Sequence, residues 1–180
     1  MSETTLLDHL ASNDLFKDLD QATLKALDIE LKLHHLNKDD VLFKQGDYGD
    51  SMYLLIRGRL VIRMQTADGR EIVVGEESEP GTSIGEMALI TGQSRVVTLF
   101  AGSDADLVKL SKVGFELLVK EQPHTLTDLA ELASRRWRQT QLAVLLANLL
   151  GEVDAVALRE IDVTNAAIPM TDPGMPSTWL

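Results

Sequence analysis

The chain has 180 residues, 44% of them hydrophobic and 25% charged, which is typical of one soluble domain with an appendage. Its formal net charge of −11 argues against a nucleic-acid-binding surface and against docking on anionic lipid, because both need clustered Lys and Arg. The absence of cysteine excludes disulfides, thiolate zinc sites and iron–sulfur clusters.

The apolar segments are too short or too polar to enter a membrane. Residues 1–10 are acidic and short of apolar side chains, unlike a signal peptide. The longest apolar run, residues 142–150, is interrupted by Asn148 and is far shorter than a membrane-spanning helix. We therefore predict a cytoplasmic protein that does not contact the membrane.

Residues 5–32 are predicted to be helical, because apolar side chains recur there at helical spacing. Asp20 occupies the position of an N-cap, which places the start of one helix near Gln21. From residue 33 to residue 110 the pattern changes to short β-rich runs separated by glycine, as in a small barrel or jelly roll. The predicted strands span residues 33–36, 41–43, 51–56, 60–66, 71–75, 96–101 and 106–110, with a hairpin turn at 67–70.

Helices are predicted again at residues 112–121 and from Pro123, which suits a first helical turn, to about Leu150. Residues 152–163 resemble residues 18–29 and are predicted to form a short helix. The similarity indicates either a truncated copy of the segment that leads into the barrel or two amphipathic helices that are alike by chance. The predicted organisation is one domain over residues 1–150, followed at 151–180 by this helix and a proline-containing tail.

Residues 85–89 read Gly-Glu-Met-Ala-Leu and place a glycine and an acid at the start of a short predicted helix. The backbone N–H groups of a first helical turn have no partner within the helix, and the helix dipole favours an anion there. Arg95 follows nine residues after Glu86 and is the only Arg or Lys between Arg70 and Lys109. Free N–H groups and a planar guanidinium suit a phosphate, and a carboxylate suits a sugar hydroxyl, so this stretch predicts a small nucleotide site.

This run, followed by a short loop and Arg95, resembles the phosphate-binding cassette of the cyclic nucleotide-binding domain family. Residues 42–60 are similar to the start of the family's barrel, in which two Gly-Asp pairs make turns and Gly58 permits a tight reversal. Two ordered motifs at a suitable separation are more specific than either alone. The resemblance covers roughly residues 15–150 and is to the modules of catabolite activators and protein kinase A regulatory subunits.

The resemblance implies a role for each residue of the cassette. Arg95 would pair with the cyclic phosphate and Glu86 would accept a hydrogen bond from the ribose 2′-hydroxyl, while nearby backbone amides complete the phosphate site. Trp137 would cap the base, with packing in the core or at a dimer interface as the open alternative. The implied ligand-binding residues are Gly85, Glu86, Met87, Ala88, Arg95, Val96, Val97 and Trp137.

The two residues after Arg95 depart from the family pattern, which has a small residue and then alanine where this chain has Val96 and Val97. Their additional methyl groups are expected to crowd the pocket. Members of the family that prefer cGMP often carry threonine directly after the arginine, and Val96 has no hydroxyl to reach the guanine. The resemblance therefore implies cAMP as the ligand, with cGMP as the alternative, and it implies no cofactor.

The predicted helix over residues 123–150 is apolar on more than one face toward its end, whereas a surface helix needs only one apolar stripe. We expect its second face to form a homodimer or to dock on an effector domain. Packing of this face against the N-terminal helices of the same chain is the alternative.

Three other kinds of function fit the sequence less well. Residues 81–85 match the Gly-x-Ser-x-Gly pattern of serine hydrolases, but an acidic loop precedes them where an apolar strand is required. His34 and His35 are neighbours on a predicted strand, so their side chains point to opposite faces and cannot share a metal ion. Residues 151–180 carry five acids against Arg159 alone, too acidic and too short for a DNA-reading domain. We therefore predict no enzyme, no metal site and no nucleic-acid partner.

The sequence thus predicts an α+β protein, in which a small antiparallel β-barrel or jelly roll is flanked by N-terminal helices and a long C-terminal helix. The predicted function is that of a regulatory module that senses a cyclic nucleotide and transmits binding through the helix over residues 123–150. The alternative, from a different class, is a ligand-free scaffold of the same fold that serves for dimerisation or docking.

Overall fold

The structure, a computed structural model, describes residues 15, 16 and 18–150, with side chains up to residue 148. The helix expected before residue 15, the segment at 152–163 and the tail to residue 180 lie outside the described residues. The helices and strands, in chain order, are α1 (Gln21–Asp28), β1 (Leu31–Leu36), β2 (Val41–Phe43), β3 (Ser51–Arg57), β4 (Leu60–Gln65), β5 (Glu71–Glu77), β6 (Ser83–Ile84), α2 (Glu86–Thr91), β7 (Thr98–Ala101), β8 (Ala105–Ser111), α3 (Lys112–Glu121) and α4 (His124–Leu150).

The strands form two antiparallel sheets of four strands each, in the orders β1-β8-β3-β6 and β2-β7-β4-β5. The inner faces of both sheets contribute to one apolar core, with Leu55 and Leu107 from the first sheet and Leu60 and Leu99 from the second. The two sheets therefore pack face to face as a jelly-roll-like sandwich and do not close into a barrel. The predicted α+β class and jelly-roll architecture are confirmed.

Strand β3 is buried on both faces, because alternate side chains point to opposite sides of a sheet. Its outward residue Leu54 joins a second apolar cluster that contains Phe16, Phe115 and Leu129 from the segments packed on this face. The helical segments thus cover the outer face of the first sheet. This burial explains why β3 reads as a continuous apolar run in the sequence.

The strand predicted over residues 96–101 is shorter than expected and begins only at Thr98. The backbone of Arg95 instead pairs with the loop between β2 and β3, where Arg95 N donates to Asp47 O and Gly46 N donates to Arg95 O, both at 2.8 Å. The chain therefore bends at Val96 before it joins the sheet. The two-residue strand β6 was not predicted, since it is too short to show a periodic pattern.

Helix α4 crosses the molecule from the outer face of the first sheet to the β4–β5 hairpin. Leu129 lies in the outer apolar cluster, whereas Ala143, fourteen residues further along the helix, packs against Val74 of β5. At the far end Arg70 Nη2 donates to Asn148 Oδ1 at 2.5 Å. The end of the helix is thus covered in part by the chain's own sheet, and the homodimer stays a prediction.

Candidate ligand-binding site

A cavity of about 120 Å³ lies between helix α4 and the residues that surround α2. The eight residues implied by the sequence motif all line it: Gly85, Glu86, Met87, Ala88, Arg95, Val96, Val97 and Trp137. Trp137 reaches the cavity from α4, at least forty residues beyond the other seven in the chain. The structure therefore brings the motif and the helix residue together at one site.

Gly85 connects β6 to α2 in a left-handed conformation, with φ of 78°. This conformation strains residues that carry a Cβ, and a Cβ placed here would also lie 2.6 Å from Arg95 Nη1. Glycine is therefore required at this position both by the turn and by the close approach of Arg95. Helix α2 then begins directly at Glu86.

Arg95 is buried in the wall of the cavity, with only 5% of its surface exposed. Its Nη1 donates to Gly85 O at 2.6 Å, its Nη2 donates to Ser51 O at 2.7 Å, and its guanidinium lies 4.3 Å from the ring centre of Phe43. Its Nε has no hydrogen-bond partner within the described part of the chain. Burial lowers the pKa of Arg95 from its ordinary value, because removing the guanidinium from water disfavours its charged form.

Glu86 is buried more deeply, with 2% of its surface exposed. Its Oε1 accepts from Arg136 Nη1 at 3.0 Å, while its Oε2 has no partner among the described residues. Arg136 also donates to Ser83 O at 2.6 Å and, through Nη2, to Glu77 at 3.4 Å. One side chain of α4 therefore ties that helix to β5, β6 and α2 at the edge of the cavity.

Sequence reasoning missed the residues that α4 contributes around Trp137. Arg136, Gln139 and Thr140 line the same cavity as Trp137, because residues three and four apart share one face of a helix. The signal that would have identified Arg136 is the basic run over residues 135–138 in a strongly acidic chain. Phe43, on which Arg95 stacks, gives no signal in the sequence beyond its place in a strand.

The serine in the Gly-x-Ser-x-Gly pattern is not arranged as a nucleophile. Ser83 is buried within β6, and its hydroxyl lacks a hydrogen-bond partner among the residues that the structure describes, so no histidine of that part acts as its base. The turn that leads into α2 is occupied by Gly85 instead. In residues 15–150, apart from residue 17, no group of three His, Asp or Glu side chains is placed to hold a metal ion.

A family model described as cyclic nucleotide-binding domain matches residues 33–122. This range contains both sheets, except for the first two residues of β1, and all of the cavity wall outside α4. The chain belongs to the cyclic nucleotide-binding domain family. The matched domain is a regulatory fold and not a catalytic one.

Known proteins with related sequence or structure fall into several classes. Lysophospholipase nte1 of Aspergillus terreus is 34% identical over 112 residues, which are 62% of this chain and 7% of that protein. The catabolite activator protein of Thermus thermophilus is 25% identical with a TM-score of 0.60, over 74% of this chain and 62% of that one. The regulatory domain of Toxoplasma gondii protein kinase A, crystallised with cAMP, is 26% identical with a TM-score of 0.57, over 85% and 54%.

The chain spans 7% to 10% of the length of the fungal lysophospholipases that it matches. The hydrolase name therefore refers to proteins of which this domain forms a small part. Within the described residues, no helix is both long enough and apolar enough to cross a bilayer.

Proposed function

We propose that this chain is a regulatory module that binds cAMP in the cavity beside α2 and transmits binding through α4. The observation that carries the proposal is a pair of buried polar atoms in the cavity wall, Arg95 Nε and Glu86 Oε2, neither of which has a partner among the described residues. A buried donor or acceptor without a partner is destabilising, and such groups are found where a ligand completes them. The donor Arg95 Nε suits a phosphate oxygen, and the acceptor Glu86 Oε2 suits a ribose hydroxyl.

The size of the cavity supports a moving helix. Small-molecule sites commonly enclose roughly 300–1,000 Å³, whereas this cavity encloses about 120 Å³. We therefore expect part of the wall to move when a nucleotide binds, and α4 supplies Arg136, Trp137 and Thr140 to that wall. Ligand binding thus favours a second position of α4, which is the requirement for transmitting a signal to a dimer partner or an effector.

The ligand we propose is cAMP and not cGMP. Val96 lines the cavity directly after Arg95 and offers methyl groups where a hydroxyl would be needed for guanine. The protein kinase A domain of Toxoplasma gondii, which holds cAMP, has the same fold and supports this choice.

Replacement of Val96 by threonine is expected to raise cGMP affinity by about 5- to 10-fold, as one added hydrogen bond allows. Calorimetric titration with both nucleotides measures the change, and Val96→Ala, which shortens the side chain without adding a hydroxyl, is the matched control. Equal or tighter binding of cGMP by the unmodified chain would overturn the preference.

Gly49 lies against the cassette, and its replacement by alanine is expected to weaken cAMP binding. A Cβ at this position would overlap the Cβ of Ala88 and lie 3.3 Å from Arg95 Cζ, so α2 and Arg95 must shift. Such a shift would misalign the proposed charge-assisted hydrogen bond between Arg95 and the phosphate. We therefore expect the affinity for cAMP to fall about tenfold. Gly75→Ala is the control, because Gly75 lines the same cavity but its Cβ would meet only Ile62 Cδ1, at 3.5 Å. Equal losses in both variants would contradict the expected contact.

A ligand-free scaffold is the second candidate, and one observation favours it. Both Nη atoms of Arg95 already donate to backbone carbonyls, of Gly85 and Ser51, so this arginine stabilises the loop without a ligand. Calorimetric titration of the whole chain with cAMP, then cGMP, separates the two candidates. Saturable one-to-one binding supports the sensor, and no heat at high micromolar ligand with a folded protein supports the scaffold.

A further inference from the structure

The apolar cluster between the β4–β5 hairpin and the end of α4 is only partly covered. Among the described residues, its buried members are Val74 and Ala143, whereas the other two apolar clusters consist mostly of buried side chains. Apolar surface left open to water favours a further cover, because burying it is stabilising. We call this set the hairpin cluster, and its half-buried members are Ile62, Met64, Ile72, Val97, Leu142 and Leu146.

The described chain ends beside the hairpin cluster. Leu146 belongs to the cluster, and Asn148, two residues further along α4, accepts from Arg70 of the hairpin turn. Gly151 follows the last residue of the helix directly. A glycine at this position commonly ends a helix and lets the chain reverse its direction. The residues after Gly151 therefore start next to the cluster.

Residues 152–163 suit the hairpin cluster in pattern and length. Val153, Ala157 and Ile161 recur at every fourth position, so they share one face of the helix predicted there, and we call them the tail stripe. Twelve helical residues span roughly 18 Å, which is enough to run back from the end of α4 past Leu142. An antiparallel return would therefore bring the tail stripe to the half-buried side chains.

The other segment outside the described residues is worse placed. Residues 1–14 join the described chain at Leu15, which packs with Leu129 in the cluster on the outer face of the first sheet. Leu129 lies fourteen residues before Ala143, roughly 21 Å along α4. The hairpin cluster is therefore nearer to the C-terminal segment.

We propose that residues 152–163 fold back as a helix and dock on the hairpin cluster. Docking would also act on the nucleotide site, a step that rests on the proposed function. Ile62, Val74 and Val97 belong to the cluster and also line the cAMP cavity. A docked segment holds the end of α4 against the hairpin, so it opposes a ligand that moves α4.

Cysteine pairs test the docking in the full chain, which has no cysteine of its own. The residues of the tail stripe are replaced by cysteine one at a time, each combined with Ile72→Cys on the face of β5 that packs against α4. The matched control combines the same cysteines with Val73→Cys, the next residue of β5, whose side chain points to the opposite face of the sheet. Met64→Cys, at the cross-strand neighbour of Ile72, replaces Ile72→Cys if that variant does not fold.

Under a mild oxidant at low protein concentration, at least one pair with Ile72→Cys is expected to form a disulfide within the chain about tenfold faster than its control with Val73→Cys. The physical reason is that docking raises the effective concentration of the two thiols on one face of the sheet only. Mass spectrometry distinguishes disulfides within a chain from those between chains. Equal rates, or a faster control, overturn the proposal. Disulfides that form only between chains also overturn it, because they would place a second copy on the cluster.

Two neighbouring alanines of the segment give an independent test in the same assay. Ala157→Asp places a carboxylate in the tail stripe and is expected to slow the disulfide between Val153→Cys and Ile72→Cys several-fold. Ala155→Asp adds the same charge on the opposite side of the predicted helix, so it is expected to leave the rate unchanged. Equal effects of the two variants would contradict a docked helix.

Calorimetry with cAMP then measures the coupling to the nucleotide site. The disulfide-locked chain is expected to bind cAMP several-fold more weakly than the same chain after reduction, because the lock holds α4 in place. Equal affinities reject the coupling. A disulfide that forms as expected in a chain that gives no heat with cAMP, locked or reduced, upholds the docking and rejects the nucleotide function.

Discussion

Replacement of Arg95 by alanine is expected to weaken cAMP binding by about 10- to 100-fold, because a charge-assisted contact to phosphate contributes roughly 1.5–3 kcal/mol. Arg95 is the cation of the cassette, and its Nε lies at the cavity without a partner in the described chain. Isothermal titration calorimetry measures the change. Unchanged affinity would contradict the assignment of Arg95 to the phosphate.

Loss of affinity in this variant must be separated from loss of structure. Arg95→Ala also leaves the carbonyls of Gly85 and Ser51 without their donor, which is expected to lower the free energy of unfolding by about 1–3 kcal/mol. Arg95→Lys keeps the positive charge but lacks the planar guanidinium with which arginine can bind two carbonyls and a ligand at once. Arg57→Ala is the control, since Arg57 is exposed and pairs with Asp106 at the surface. Thermal melts accompany each titration.

Replacement of Arg136 by methionine is expected to lower the free energy of unfolding by about 2–3 kcal/mol. Methionine keeps the length of the side chain but leaves Glu86, 2% exposed, with its charge unpaired. Removing one partner of a buried ion pair is strongly destabilising, and the 20% exposure of the Arg136 side chain reduces the effect. Urea unfolding followed by circular dichroism measures it.

The double variant Glu86→Gln/Arg136→Met is expected to recover most of this stability, because a neutral amide tolerates burial better than an unpaired carboxylate. Arg57→Met serves again as the surface control, with an expected change within about 1 kcal/mol. If Arg136→Met and Arg57→Met destabilise equally, the contact between Arg136 and Glu86 does not hold α4 in place. The proposed route from the ligand to α4 would then lose its main connection.

The predictions for Arg95 and Arg136 concern two halves of the site, one in the sandwich and one that includes α4. Arg95 and its carbonyl partners belong to the sandwich and do not involve α4. Glu86 belongs to both halves, since it lines the cavity and one of its carboxylate oxygens accepts from Arg136 of α4, while the other has no partner among the described residues. A ribose hydroxyl bound to the second carboxylate oxygen would be separated by only the carboxylate carbon from the oxygen that accepts from Arg136. In the proposed function, Glu86 is the residue that would couple ligand binding to the position of α4.

Much of the fold was predictable because its signals are local. The N-cap of α1 is an example, since Asp20 Oδ1 accepts from Thr23 N at 2.7 Å as its position before the helix indicates, and this bond lowers the pKa of Asp20. The hairpin between β4 and β5 also forms where Asp-Gly allows it, with Gly69 at φ of 85°. The order of the cassette is likewise local, and its residues Gly85, Glu86, Met87, Ala88 and Arg95 line one cavity.

The sequence by itself therefore determined the family, the succession of strands and helices apart from β6, and eight of the residues that line the cavity. Tertiary structure alone decided how the site is closed. Arg136 meets Glu86 across fifty positions of chain, and Arg95 meets Ser51 across forty-four, because α4 crosses the sandwich and the β2–β3 loop folds over the cassette. No spacing rule relates residues so far apart, since such contacts depend on how whole elements pack.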